Sequence, residues 1–201
     1  GRYAVGKSVT AKKDQTYALY HIEKEVLAHL ILPLGSMEKT ETRALAEKYN
    51  LPVAQKAESQ DVCFIPNDNY KAFLKRKAGK ILRRGKIVDS SGQEVGRHEG
   101  VALYTVGQRK GLGVAAGRPL YVQRLDAAKN QVVVGSNEEL FTNGLVAGDV
   151  NFHQADIPRN SFEVMAKIRY GAKASLATVT MQADGTVKVV FAEKQRAVTP
   201  G

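Results

Sequence analysis

The period at which apolar residues recur changes once along this 201-residue chain, near residue 80, and that switch constrains the fold more than any other feature. Before it, spacings of three and four predict helices. Leu19, Ile22, Val26, Leu27 and Leu30 place one over 17–30, and Thr42, Leu45, Ala46 and Tyr49 place a second over 40–49. Asn50 reads as a left-handed stop, followed by the helix-breaking Pro52. Asp68 and Asn69 are capping residues for a short third helix over 70–77. After the switch, short strands and glycine turns take over. Ile81, Ile87 and Val88 flank Arg83-Arg84-Gly85, and Asp89-Ser90-Ser91-Gly92 is a turn cluster. Phe162, Val164, Ala166, Ile168 and Tyr170 alternate with Glu163, Met165, Lys167 and Arg169, which gives a strand one apolar face. Leu176 to Met181 and Val187 to Phe191, joined by Ala183-Asp184-Gly185, read as a hairpin. The turn spacing is that of a small barrel.

Charge and cysteine usage narrow the class. Lys and Arg number 30 against 20 Asp and Glu, and the net charge of +10 favours a polyanionic partner, nucleic acid first. The longest apolar run, Leu30 to Leu34, is interrupted by Pro33 and falls far short of the roughly 20 residues a membrane span needs, so no membrane partner is expected. A single cysteine excludes a disulfide framework and a Cys-rich zinc site, and fits a reducing, cytoplasmic setting. The chain opens Gly1-Arg2-Tyr3 without an apolar signal segment and stops at Thr199-Pro200-Gly201, so a fragment of a longer protein is expected.

Three features could carry chemistry. Between Lys71 and Lys86 stand eight basic residues (Lys71, Lys75, Arg76, Lys77, Lys80, Arg83, Arg84, Lys86) and no acidic one. That density suits phosphate contacts, though a solvated helix face followed by a basic turn would look the same. Gly107-Gln108-Arg109-Lys110-Gly111-Leu112-Gly113 lets a backbone approach a ligand, but it departs from the phosphate-loop pattern and taken alone reads as a sharp basic turn. Cys63, between Val62 and Phe64, is by default a small buried hydrophobe. His21, His29, His98 and His153 are scattered and show no partner in the sequence.

Read together and in order, several segments resemble the tRNA-specific 2-thiouridylases. These are Lys13-Asp14-Gln15-Thr16-Tyr17, Leu32-Pro33-Leu34-Gly35, Glu58-Ser59-Gln60-Asp61-Val62-Cys63-Phe64-Ile65 and His98-Glu99-Gly100. Tyr104-Thr105-Val106-Gly107-Gln108-Arg109-Lys110-Gly111-Leu112-Gly113, Lys167-Ile168-Arg169-Tyr170 and Gln195-Arg196-Ala197-Val198-Thr199-Pro200-Gly201 complete the series. The likeness spans nearly the whole chain. It implies the helical tail of an α/β, adenine-nucleotide α-hydrolase-like catalytic domain over 1–67, a small mixed central domain over 68–127 and a C-terminal β-barrel over 128–201, truncated at its end. It also implies a reaction in which ATP, with Mg, adenylates the C2 oxygen of a tRNA wobble uridine and a cysteine persulfide delivers sulfur to C2. A relay protein would donate that sulfur. By the same match Cys63 is the persulfide carrier, Lys13, Asp14 and Gln15 are one tRNA-contacting stretch, Arg169 and Tyr170 another, and Gly1 a nucleotide contact.

The departures set limits. The family's Ser-Gly-Gly-Val-Asp-Ser type loop and its first catalytic cysteine are absent here, and Arg2 stands where the family has His. The chain alone is therefore expected to be inactive and to lack most of the ATP site. Around Cys63 the near charges are Glu58, Asp61 and Asp68 against Lys56, which by themselves would oppose a thiolate. The rival expectation is a non-catalytic tRNA-binding module in which Cys63 is inert.

Overall fold

The computed structural model describes every residue except 1–2, 11–13, 56–64, 66–68, 80–81, 154–159 and 201. Gly1, Lys13, Cys63 and Ile81 therefore lie outside the described residues. The fold is mixed α/β with mostly strands, divided into two compact units: Gly1–Glu58 with Val146–Val189, and Ser59–Leu145 with Val190–Gly201.

In the first unit, the helix expected over 17–30 is not continuous. A 3-10 turn covers Thr16–Leu19, and α1 is a single turn, Lys24–Leu27. Asn151 explains the break: its side-chain amide donates to the carbonyls of Tyr20 and Ile22, both at 2.7 Å. Those carbonyls would otherwise accept from the amides four residues on. Of the expected apolar stripe, Leu27 is buried while Val26 and Leu30 are exposed. The second expectation is met: α2 is Lys39–Lys48, and Asn50 ends it at φ 51°. At its start the Glu38 amide donates to the Glu41 carboxylate at 2.7 Å, and the Glu38 side chain caps in return.

The second unit carries α3, Tyr70–Ala78, whose cap is Asn69 accepting from the Ala72 amide at 2.9 Å. The strands β1 (Gly85–Val88), β2 (Glu94–His98), β3 (Tyr121–Asp126) and β4 (Gln131–Gly135) form a sheet in the order β2-β1-β4-β3. β1 runs parallel to β4, with Ile87 opposite Val132, and the other two pairings are antiparallel. The turn cluster at residues 89–92 behaves as its residues predict: the Asp89 carboxylate accepts from the amides of Ser91 and Gln93. Ile87, Val122, Val132 and Val134 are fully buried and form the core with Leu112 and Leu120. The expected boundary at 127/128 falls in the turn between β3 and β4, which pair with each other.

A second sheet has the order β5-β8-β7-β6, from β5 (Phe141–Ala147), β6 (Ser161–Ala166), β7 (Ser175–Met181) and β8 (Val187–Arg196). β8 passes from the first unit into the second between Val189 and Val190. The alternation over β6 holds: Phe162, Val164 and Ala166 are half-buried, and Met165 is exposed. The strand itself stops at Ala166, so Arg169 and Tyr170 sit in the bend that follows it. The β7–β8 hairpin turns on Gly185 at φ 83°, with Asp184 accepting from the Thr186 amide at 2.9 Å. Among the described residues, both four-stranded sheets are open at two edges.

Candidate nucleic-acid interface

Two of the sequence-predicted stretches come together in the first unit. The rings of Tyr17 and Tyr170 lie 4.9 Å apart at an interplanar angle of 39°. The Lys167 ammonium sits 5.6 Å from the Tyr170 ring centroid. Residues just after Asp14-Gln15 thus meet the bend that carries Arg169-Tyr170.

Asp14 shapes its stretch from within. Its carboxylate accepts from the Thr16 hydroxyl, from the Thr16 amide at 2.8 Å and from the Ser8 amide at 2.9 Å. The Thr16 hydroxyl first, helped by the two amides and the charge of Lys7, holds the Asp14 carboxyl below its usual range against the opposing cost of burial. These partners belong to the chain itself, and the neighbouring Gln15 is exposed. Nearby backbone is tied down as well, with the Val9 amide donating to the Gly35 carbonyl at 3.1 Å.

The second unit collects the basic residues. Lys71, Lys75, Arg76 and Lys77 are exposed on α3, and Arg83 and Arg84 are exposed on the turn leading into β1. Lys75 pairs with Glu99 at 2.5 Å. That hydrogen bond and the charge of Lys75, then the charges of Arg84 and Lys71, hold the Glu99 carboxyl below its usual range. The glycine-rich turn is built by Gln108, whose side-chain carbonyl accepts from the Thr105 amide at 3.0 Å while its NH2 donates to the Lys110 carbonyl at 2.9 Å. Gly107, at φ 86°, hydrogen-bonds to the Val122 carbonyl at 2.7 Å, which fixes the turn to β3. Arg109 and Lys110 point to solvent as a basic turn should. A cleft of about 540 Å³ opens between α3 and this turn, lined in part by Asn69, Tyr70, Lys71, Thr105, Gln108 and Lys110. A second, of about 410 Å³, is lined in part by Arg109, Arg118, Leu112 and Leu120.

Two histidines have partners that the sequence did not reveal. His98 is buried, with Nε2 3.1 Å from the Asn130 carbonyl, and its Nδ1 has no hydrogen-bond partner among the described residues. His153 Nε2 lies 3.1 Å from the Ile22 carbonyl, beside Asn151. Both links join segments far apart in sequence, and no local pattern announces them. Among the described residues there is no group of three or more His, Cys, Asp or Glu that could hold a metal, and no helix long and apolar enough to cross a membrane. The nucleotide contact expected at Gly1 lies outside the described residues, so no described side chain is assigned to ATP or Mg.

Comparison with known proteins covers the chain in three consecutive parts. Residues 1–67 match a tRNA methyl transferase HUP domain, 71–136 a tRNA methyl transferase PRC-barrel domain and 142–201 an aminomethyltransferase β-barrel domain. Along its whole length the chain is 47% identical to a protein of Carboxydothermus hydrogenoformans named tRNA-specific 2-thiouridylase MnmA, spanning 55% of that relative. Proteins of the same name from Clostridioides difficile and Acetivibrio thermocellus are 44% and 46% identical, with 56% of each spanned. The chain therefore spans little more than half the length of these curated relatives. The domain descriptions speak of methyl transfer and the relatives' names of thiolation. The relatives match over the whole length of the chain, and they carry the greater weight.

Proposed function

We propose that the chain belongs to the tRNA-specific 2-thiouridylase family and supplies the persulfide-bearing cysteine and much of the tRNA-binding surface of an enzyme that thiolates C2 of a wobble uridine. The observation that carries this reading is the end-to-end identity of 47% over 201 residues. In it, Cys63 carries the persulfide, whose terminal sulfur displaces the activated C2 oxygen. Attack by a second thiolate on the Cys63 sulfur then releases the thiolated base and leaves a disulfide. Cys63 is the only cysteine of the 201 residues, so the second thiol comes from outside them. ATP, with Mg, supplies the adenylation that makes the C2 oxygen a leaving group.

The described residues bear on binding. Gln15, Arg169 and Tyr170 are exposed, and the Tyr17–Tyr170 contact between the two stretches supports their acting together. Lys13 and Asp14 belong to the same stretch, and Asp14, engaged with Thr16 and Ser8, acts by holding the stretch in shape. Gly1 keeps its family role as a nucleotide contact, and a soluble relay protein of the cytoplasm donates the sulfur. The matches at 71–136 and 142–201 support ending the central domain after β4, later than residue 127, with the second sheet belonging to the C-terminal domain.

The test uses an enzyme of the relatives' full length that carries this sequence. Cys63→Ala and Cys63→Ser should each abolish 2-thiouridine in tRNA while tRNA binding persists. Near-normal thiolation in either variant would make Cys63 inert and the chain a binding module only.

A further inference from the structure

Arg83 and Arg84 do not sit on a loose loop. The Asn130 side-chain NH2 donates to the Arg84 carbonyl at 2.9 Å, across 46 residues of sequence. Asn130 itself holds φ 50°, a left-handed conformation that asparagine tolerates and most residues do not. Its carbonyl rests on Nε2 of buried His98 at 3.1 Å. Gly85 lies so close that a Cβ there would come 2.1 Å from the Asn130 carbonyl and 2.6 Å from His98 Nε2. Three segments remote in sequence thus lock the backbone directly beneath two exposed guanidinium groups.

The locked turn faces a wider cationic surface. Lys75 pairs with Glu99 at 2.5 Å, and Arg84 precedes Gly85, whose partner in the β1–β2 register is His98, the residue before Glu99; with Lys71 one turn earlier on α3, cations outnumber the one carboxylate there. Beside Lys71, the α3 cleft adds the amides of Asn69 and Gln108 and the half-exposed ring of Tyr70. Cations, amide donors and an aromatic face around one cleft suit a phosphodiester with its sugar. A lipid headgroup plane or an acidic helix would use the charge and leave the cleft unfilled.

We propose that Asn130, seated on His98, is a positioning residue that holds Arg84 beside Lys71 and Lys75 as a preformed seat for an RNA backbone phosphate. This rests on the reading of tRNA as substrate. Because the turn is already ordered, little conformational freedom remains to be lost when the phosphate binds.

The experiment measures tRNA affinity of the 201-residue chain as salt rises, with Arg84→Gln, Asn130→Gly and the double variant, and with anionic vesicles as a second probe. Arg84→Gln should weaken tRNA binding about tenfold at low salt, the scale of one charge-assisted hydrogen bond, and lower the salt slope by about one unit. Asn130→Gly keeps the left-handed backbone but loses the NH2 donor. It should weaken binding in part, and Arg84→Gln should then cost less in that background. If Asn130→Gly melts too low to measure, Asn130→Asp removes the same donor and Arg84→Gln stands on the exposed surface. Unchanged affinity and slope in Arg84→Gln would overturn the seat while leaving tRNA as the substrate. Failure of the unaltered chain to bind tRNA would overturn the tRNA reading itself. Vesicle binding that depends on Arg84, with tRNA binding that does not, would assign the surface to a membrane instead.

Discussion

The sheet of β1 to β4 and the segment before residue 55 handle their apolar residues in opposite ways. In the sheet, Ile87, Val122, Val132 and Val134 are withdrawn from water completely. In the N-terminal segment, Leu27 is the buried apolar residue of α1, while Ile31 is 83% exposed and Val26, Leu32 and Leu34 are exposed with it. Over residues 17–30 the apolar spacing finds little buried cover to act on, whereas α2, which buries none of its residues either, is set by its capping box and by the stop at Asn50. Where the cover exists, strands and core follow. Elsewhere the backbone is held by polar ties, Asn151 to Tyr20 and Ile22, and Asp14 to Thr16 and Ser8, and the expected helix breaks into two short turns.

The contrast is sharpest in side-chain truncation. Ile87→Ala should destabilise the protein by about 2–5 kcal/mol in denaturant titration, from lost burial plus the cavity left behind. Ile31→Ala should change stability by no more than about 0.5 kcal/mol. Equal costs at the two sites would break the comparison.

A smaller effect probes the lock inside the sheet. Gly85→Ala places a Cβ 2.1 Å from the Asn130 carbonyl, so β1 or Asn130 must move. The expected cost is about 1–3 kcal/mol, with the amide signals of Arg84 and Asn130 shifting together in solution spectra.

The polar ties come next. Asn151→Ala removes two hydrogen bonds to the Tyr20 and Ile22 carbonyls. A cost of about 1–2 kcal/mol is expected, and hydrogen exchange should speed up over residues 20–27 while β1 to β4 stay protected. Uniform loss of protection would show that the two regions are not stabilised separately.

The smallest effect is on acid stability. The Asp14 carboxyl titrates below its usual value when folded, so it stabilises the fold above the unfolded pKa near 3.8. That contribution is lost as pH falls through the lowered folded value. Asp14→Asn should therefore flatten the stability loss below about pH 4 slightly and leave the profile above pH 5 parallel to that of the unaltered chain.

Legibility followed the same division. The stop at Asn50, the cap at Asn69 and the turns at residues 89–92 and 183–185 were readable because each depends on one residue's own backbone preference. The turn spacing anticipated strands, but among the described residues both sheets are open where a barrel was expected, and pairing of β3 with β4 across the 127/128 boundary depended on register, which spacing does not encode. The site residues came from the order of motifs. His98, Asn130, Asn151 and the Tyr17–Tyr170 contact are tertiary partnerships, some across 131 residues, with no local signature.

The claim that most depends on the structure is that two distant stretches make one RNA-binding surface in the first unit. A double-mutant cycle on the 201-residue chain tests it, with Tyr17→Ala, Tyr170→Ala and the pair measured for tRNA affinity at fixed salt. The predicted result is a several-fold loss for each single change and a loss for the pair smaller than their product, because the rings support each other. Losses that multiply fully, or Tyr17→Ala without effect, would contradict it.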